Sequence, residues 1–176
     1  SGLSCPVGFK NGTNGNVKVA VDAITSARNP HRFLTMTAEG VVSIFETSGN
    51  EQTHIILRGG SNGPNYEPAH IDSTAEELEK ASLAPMIMVD CSHANSQKKP
   101  QRQLLVAESL AKQIGAGDAR IFGTMLESHL VAGRQDVVPG TPLTYGQSIT
   151  DACLGWDDTV TALRTLAAGV QQRRRG

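Results

Sequence analysis

Net charge, long apolar runs and paired cysteines are all missing from this 176-residue chain, and each absence removes a class of function. Sixteen Lys and Arg against 17 Asp and Glu leave a formal charge of −1, so no overall field draws the protein to nucleic acid or to an anionic membrane surface. Its only basic run, Arg173, Arg174 and Arg175, reads as a solvated helix end. No segment approaches the roughly 20 apolar residues needed to cross a bilayer. The first residues also lack the basic-then-apolar layout of a secretory signal, and a cytoplasmic location is expected. Three cysteines, Cys5, Cys91 and Cys153, stand far apart with no C-x-x-C pair. They indicate neither a disulfide framework nor a structural zinc site, and buried thiols in strands or helices are expected instead.

What is present is an ordinary globular composition, 39% hydrophobic and 19% charged, enough for one domain with a core. Cys5 to Lys10 reads as a strand that breaks at the turn-forming NGTNGN. Val17 to Arg28 follows as a helix with Val17, Val19, Val21 and Ile24 on its apolar face, stopped by Asn29-Pro30. Arg32 to Thr37 and Val41 to Glu46 form two β-prone runs around Ala38-Glu39-Gly40, which predicts a hairpin inserted at about 32–46. HIILR then leads into a Gly, Asn and Pro loop, and Ser73 with Glu76 matches a capping box ahead of a helix to about Leu83. MIMVDC is the next strand. A helix through Leu104, Ala107, Ala111 and Ile114 and the strand ARIFGTML come after it. A long polar loop from Glu127 to about Asp151 precedes a final helix marked by Val160, Leu163, Leu166 and Val170.

Three of the strands share an ending. IILRGG, MIMVDCSH and IFGTMLESH each run apolar and stop at a charged or ligating group: Arg58, His93 and Glu127, spaced 35 and 34 residues apart. That interval holds one strand, one helix and two loops, so successive βα units deliver polar groups to one rim. Unalternated strands such as MIMV signal a parallel sheet covered on both faces. Four such units are too few to close a (β/α)8 barrel, which typically takes about 250 residues, and the chain reads as half of something larger.

His93, Glu127 and Asp151 offer one imidazole and two carboxylates, a donor set suited to a divalent metal. Each also has a plain structural explanation: a satisfied loop histidine, a solvated loop acid, a helix N-cap. Arg58 and Lys10 stand at strand ends too, where a bidentate fork and a point charge suit a phosphate or carboxylate. Surface ion-pair partners are the alternative.

CPVGFKNGTNG, HIILRGG, PNY, VDCSHANSQK, ESHLVAGRQ and YGQSITDACLGW together closely resemble the microbial class I 3-deoxy-D-arabino-heptulosonate 7-phosphate synthases, metal-dependent aldolases that open the shikimate pathway of aromatic amino-acid biosynthesis. The motifs run the length of the chain and match the C-terminal half of that family, from its fifth barrel strand onward. The resemblance implies strands five to eight of a (β/α)8 barrel, with residues 1–176 as a single partial barrel domain. It also implies condensation of phosphoenolpyruvate with erythrose 4-phosphate and release of phosphate. By motif, His93, Glu127 and Asp151 correspond to ligands of a divalent ion of the Mn, Fe, Co or Zn type. Lys10 and Arg58 correspond to residues that hold phosphoenolpyruvate, and Ser4, Phe33, Thr35 and Phe45 to part of an allosteric amino-acid site. The family's fourth metal ligand, a first-strand cysteine, has no counterpart here, nor do its K-P-R-T segment for erythrose 4-phosphate and its G-A-R segment. A homo-oligomer, or a complement with an N-terminal half, is therefore expected. The rival expectation is a self-associating half-barrel that binds without aldol chemistry.

Overall fold

A computed structural model describes all 176 residues. Four strands, β1 (Val7–Lys10), β4 (Thr53–Leu57), β5 (Ile87–Asp90) and β6 (Ile121–Met125), form one sheet in the order β1-β4-β5-β6, every neighbour parallel. Each is followed by a helix: α1 (Lys18–Ala27), α2 (Pro68–Lys80), α3 (Arg102–Gly115) and α4 (Trp156–Arg173). Strands taken in chain order with right-handed crossovers put every helix on the same face, as in a barrel wall and unlike a doubly wound sheet.

The core confirms that one-sidedness. Ile55, Leu57, Ile87, Val89 and Ile121 pack with Val21 and Ile24 of α1, Ile71 and Leu78 of α2, Val106 and Leu110 of α3, and Leu166 of α4 in a single buried cluster. Each fully buried Ile or Leu there contributes about 1.5–3 kcal/mol by leaving water. The alternate strand residues point the other way, because successive side chains of a strand face opposite sides. His54, Ile56, Met88 and Phe122 occupy that second face, and the rings of His54 and Phe122 meet edge-on with centroids 4.8 Å apart. No helix covers it, and Phe122 is 42% exposed.

Between α1 and β4, the strands β2 (Arg32–Met36) and β3 (Val42–Glu46) pair antiparallel in the inserted hairpin. Phe33 and Phe45 are directly opposed in its register, ring centroids 6.4 Å apart.

Several sequence expectations need correction. Helix α2 begins at Pro68, not after Ser73. Pro68 sits in the first turn, where its missing N–H costs nothing and its fixed φ already suits the helix, and the Ser73 hydroxyl donates within the helix to the His70 carbonyl. Val19 and Leu163 face solvent, not the core; Ala20 and Ala162 take those positions. The stretch from Glu127 to Asp151 is not all loop, since β7 (Val131–Arg134) and β8 (Gln147–Ser148) pair parallel within it. Of the three cysteines only Cys91 is buried, its thiol pushed up to about 12 by burial. Cys5 is exposed and Cys153 half-buried. No helix is long and apolar enough to cross a membrane.

Candidate metal and anion site

The C-terminal ends of β4, β5 and β6 and the loops beyond them surround a cavity of about 440 Å³, lined by Arg58, His93, Lys98, Glu127, Arg134 and Asp151 among others. Four of the five residues singled out in the sequence for metal or anion binding thus meet in one place. One donor atom from each of His93, Glu127 and Asp151 lies within 4.8 Å of the others. Donors that bind one cation at 2.0–2.6 Å stand about this far apart, so the trio fits a divalent ion. Asp151 lies before Gly155, the N-cap of α4, so it is not the cap of that helix.

The imidazole of His93 is oriented from behind. Its Nδ1 lies 2.9 Å from Asp90 Oδ2 and 2.8 Å from Ser92 Oγ. The Ser92 hydroxyl donates to Asp90 Oδ1 at 2.5 Å, which leaves its oxygen as an acceptor. Nδ1 therefore faces two acceptors and carries the proton. Nε2, turned toward Glu127 Oε1 at 3.6 Å, keeps its lone pair for a metal. A carboxylate behind a ligating histidine fixes the tautomer and raises its basicity.

Lys10 does not line the cavity. It reaches over β4 and donates from Nζ to Asp90 Oδ2 at 2.7 Å, so its charge acts on the site through the carboxylate that also holds His93. Asp90 has no solvent exposure. Burial opposes its ionisation, but hydrogen bonds from Lys10 and Ser92 outweigh that and hold the carboxyl below its usual range. Glu127 shifts the other way. Burial is the main cause and Asp151 and Asp90 add to it, against the opposing pull of His93 and Lys10.

Arg58 is placed by a network of buried asparagines. Asn11 Oδ1 accepts from the Arg58 amide at 2.8 Å and from Asn65 Nδ2 at 3.2 Å. Asn65 Oδ1 accepts from the Gly59 amide at 2.6 Å, and Asn95 Oδ1 accepts from the Asn65 amide at 2.8 Å. Asn95 Nδ2 in turn donates to the Leu57 and Asp90 carbonyls. These three amides lock the loops after β1, β4 and β5 together. Gly59, at φ +70°, is needed where those loops touch: a Cβ there would sit 2.8 Å from the Asn95 amide. Gln103, wholly buried, does the same for Glu127, donating to its carbonyl at 3.0 Å and accepting from its amide at 2.9 Å.

Asp90, Gln103, Lys98, Arg134 and the three asparagines were all missed in the sequence. Asp90 was hidden at the end of an apolar run. The asparagines had one usable signal, since each directly follows a strand end or lies in a loop between strand and helix.

This arrangement defines a class: a parallel α/β protein whose strand ends and following loops gather a His, Glu and Asp trio that could hold a divalent ion, beside the cations Arg58, Lys98 and Arg134. Comparison with known proteins narrows it. Residues 1–164 match the DAHP synthetase I family, and the chain belongs to that family. It is 53% identical over 175 residues to a phospho-2-dehydro-3-deoxyheptonate aldolase of Haemophilus influenzae, covering 99% of this chain and 48% of the relative. It is also 53% identical over 174 residues to the Phe-sensitive aldolase of Escherichia coli, covering 99% and 49%. The solved structure of a phospho-2-dehydro-3-deoxyheptonate aldolase from Francisella tularensis superposes with a TM-score of 0.92 at 50% identity, over 98% of this chain and 50% of that one. The chain spans about half the length of the curated relatives it matches.

Proposed function

We propose that these residues supply the metal cluster and part of the phosphoenolpyruvate site of a phospho-2-dehydro-3-deoxyheptonate aldolase. The overall reaction joins the methylene carbon of phosphoenolpyruvate to the aldehyde carbon of erythrose 4-phosphate. A water oxygen enters at the former enol carbon, and inorganic phosphate leaves. The four-stranded sheet serves as strands five to eight of a (β/α)8 barrel, the uncovered second face lining its interior and residues 1–176 making one partial barrel domain.

A divalent ion held by His93, Glu127 and Asp151 would supply Lewis acidity toward the aldehyde oxygen. Arg58, fixed by its amide bond to Asn11, offers a planar fork to the phosphate or carboxylate of phosphoenolpyruvate. Lys10 adds a positive charge behind Asp90, and Asp90 keeps the Nδ1 proton on His93. The observation that carries this reading is the convergence of the trio and Arg58 on one cavity in a chain of this family. In the full-length protein, phosphate release from the two substrates should require added divalent metal and be abolished in His93→Ala. Chelator-resistant turnover would overturn it.

Ser4, Phe33, Thr35 and Phe45 are proposed as part of an amino-acid effector site. Phe33, Thr35 and Phe45 share one face of the hairpin, and the Thr47 hydroxyl at its base donates to Ser1 Oγ at 2.9 Å, which brings the segment leading to Ser4 alongside. Inhibition of the full-length enzyme by phenylalanine, tyrosine or tryptophan, lost in Phe33→Ala, tests it.

The bare second face and free edges of β1 and β6 favour one other reading, a self-associating half-barrel without aldol activity. Wild-type turnover in the same assay distinguishes the two.

A further inference from the structure

Left-handed backbone is rare in this chain and gathers at the metal trio. Of the four non-glycine residues with positive φ, three fall in one turn: His93, Gln97 and Lys98, at 52°, 54° and 58°. A side chain crowds its own backbone there, so such conformations persist only where the surroundings enforce them. His93, the imidazole of the trio, is the first of them. Left free, it returns to the right-handed or extended region, and its ring leaves the position from which Nε2 faces Glu127 Oε1 at 3.6 Å.

Two sets of bonds hold the turn. Within it, the His93 carbonyl accepts from the Lys98 amide at 2.8 Å and from the Ser96 hydroxyl at 3.2 Å. These close the turn on itself. Its attachment to the sheet is made by the Ala94 amide, which donates to the Arg58 carbonyl at 3.2 Å, and above all by the side chain of Asn95, a residue only 2% exposed. Asn95 Nδ2 donates to the Asp90 carbonyl at 2.8 Å and to the Leu57 carbonyl at 3.2 Å. Its Oδ1 accepts from the Asn65 amide at 2.8 Å.

This set of contacts demands an asparagine. A carboxamide offers two donors and an acceptor on one short stem. Aspartate has the length but no donor, and glutamine has the donors but one methylene too many. The carbonyls that Asn95 grips end β5 and β4. Asp90 carries the carboxylate behind His93, and Leu57 immediately precedes Arg58. Asn95 thus ties the turn to both halves of the site, yet it does not itself line the cavity.

We propose that Asn95 is a positioning residue for the metal centre. It holds His93 in the left-handed conformation, so that the affinity of the trio for a divalent ion depends on a side chain that touches neither ion nor substrate. The inference rests on the reading of His93, Glu127 and Asp151 as metal ligands.

The test uses the full-length protein with Asn95→Ala, Asn95→Asp and, for comparison, Asn65→Ala. Asn95→Asp keeps the shape and the acceptor but has no donor for the two carbonyls. Asn65→Ala cuts the bonds to the Gly59 amide and to Asn11 but keeps the backbone amide that Asn95 accepts, so it loosens the loops without releasing the turn. Manganese affinity should fall about tenfold or more in both Asn95 variants, as for loss of other outer partners of a metal ligand, and stay within about twofold of the wild type in Asn65→Ala. With saturating cobalt, the visible absorption of the Asn95 variants should move toward that of His93→Ala, the sign that the imidazole has swung away. Wild-type affinity or a wild-type cobalt spectrum in the Asn95 variants overturns the proposal. So does an equal loss in Asn65→Ala, which marks a general loosening of the loops. Should Asn95→Ala fail to fold, the isosteric Asn95→Asp carries the comparison. Should the wild type bind no manganese, the metal reading fails on its own. A crystal structure of Asn95→Asp then decides the role of Asn95: a right-handed or extended His93 supports it, and a His93 still near +52° sinks it.

Discussion

Asp90 shows how much one buried carboxylate can hold in place. Lys10, Ser92 and the imidazole of His93 all converge on its two oxygens. Asp90→Asn keeps the shape but removes the charge that attracts Lys10 and the acceptor that fixes the Nδ1 proton. Loss of such an outer partner typically costs 10–100-fold in metal affinity or activity, and a fall of that order is expected. Metal titration of the variant measures it, and an affinity equal to the wild type would remove Asp90 from the site. Arg58, His93 and Glu127, which line the cavity together, stood out in the sequence because a charged or ligating group that ends an apolar run is conspicuous; Asp151, which closes a polar stretch, had no such run before it. Asp90 did not stand out, since a charged residue that continues a strand into its own hydrogen-bonded turn looks like part of that strand. Lys98 and Arg134 lay in polar loops, where a cation carries no positional signal until the backbone is known.

Longer-range fixtures tie the helices and strands together. Arg120, at the start of β6, donates to Asp118 and to Asp72 of α2 at 2.7 Å each. The hydrogen bond from Arg120 is the largest influence on Asp118 and outweighs burial, holding its carboxyl below the usual range. A carboxyl lowered on folding stabilises the protein above its unfolded value of about 3.9. That contribution disappears as pH falls through the lower folded value. Urea midpoints between about pH 5 and pH 2 should therefore fall more steeply for the wild type than for Asp118→Asn; parallel curves would show that Asp118 contributes nothing. Where α4 crosses α3, a Cβ at Gly169 would sit 2.4 Å from the Ala111 carbonyl oxygen. Gly169→Ala must push the helices apart, and a loss of about 1–3 kcal/mol is expected from such overpacking, read as a lowered Tm. An unchanged Tm would mean that the helix pair yields freely. Periodicity revealed α1, α3 and α4, because each buries an apolar stripe, whereas a capping-box pattern pointed to α2. Periodicity misjudged the rims of α1 and α4, where the small residues Ala20 and Ala162 pack closer than the larger Val19 and Leu163 could. The capping box placed the start of α2 late, because a first-turn proline competes with it and the proline won.

The protein as a unit has two kinds of surface. One side of the sheet is sealed by helices; the other presents Met88, the half-exposed Phe122 and the unpaired edges of β1 and β6. Residues 1–176 expressed alone should therefore associate, giving a light-scattering mass above the 18.6 kDa of one chain. Phe122→Lys, which places a charge on that face, should return the mass toward the monomer. A monomeric wild type would show that the second face tolerates water. The parallel architecture was legible from strands that end alike at even intervals. Which of their residues face outward was not, because an apolar run without alternation gives no phase.

Spatial order that copies chain order has a temporal meaning as well. Each strand and helix leaving the ribosome can dock on the one made just before, with no wait for a distant partner. Growth of this kind places the most persistent backbone protection in the middle, at β4 and β5, and lets the outer strands open first. Amide exchange should then report a gradient from centre to margin, the record of a sheet laid down one course at a time.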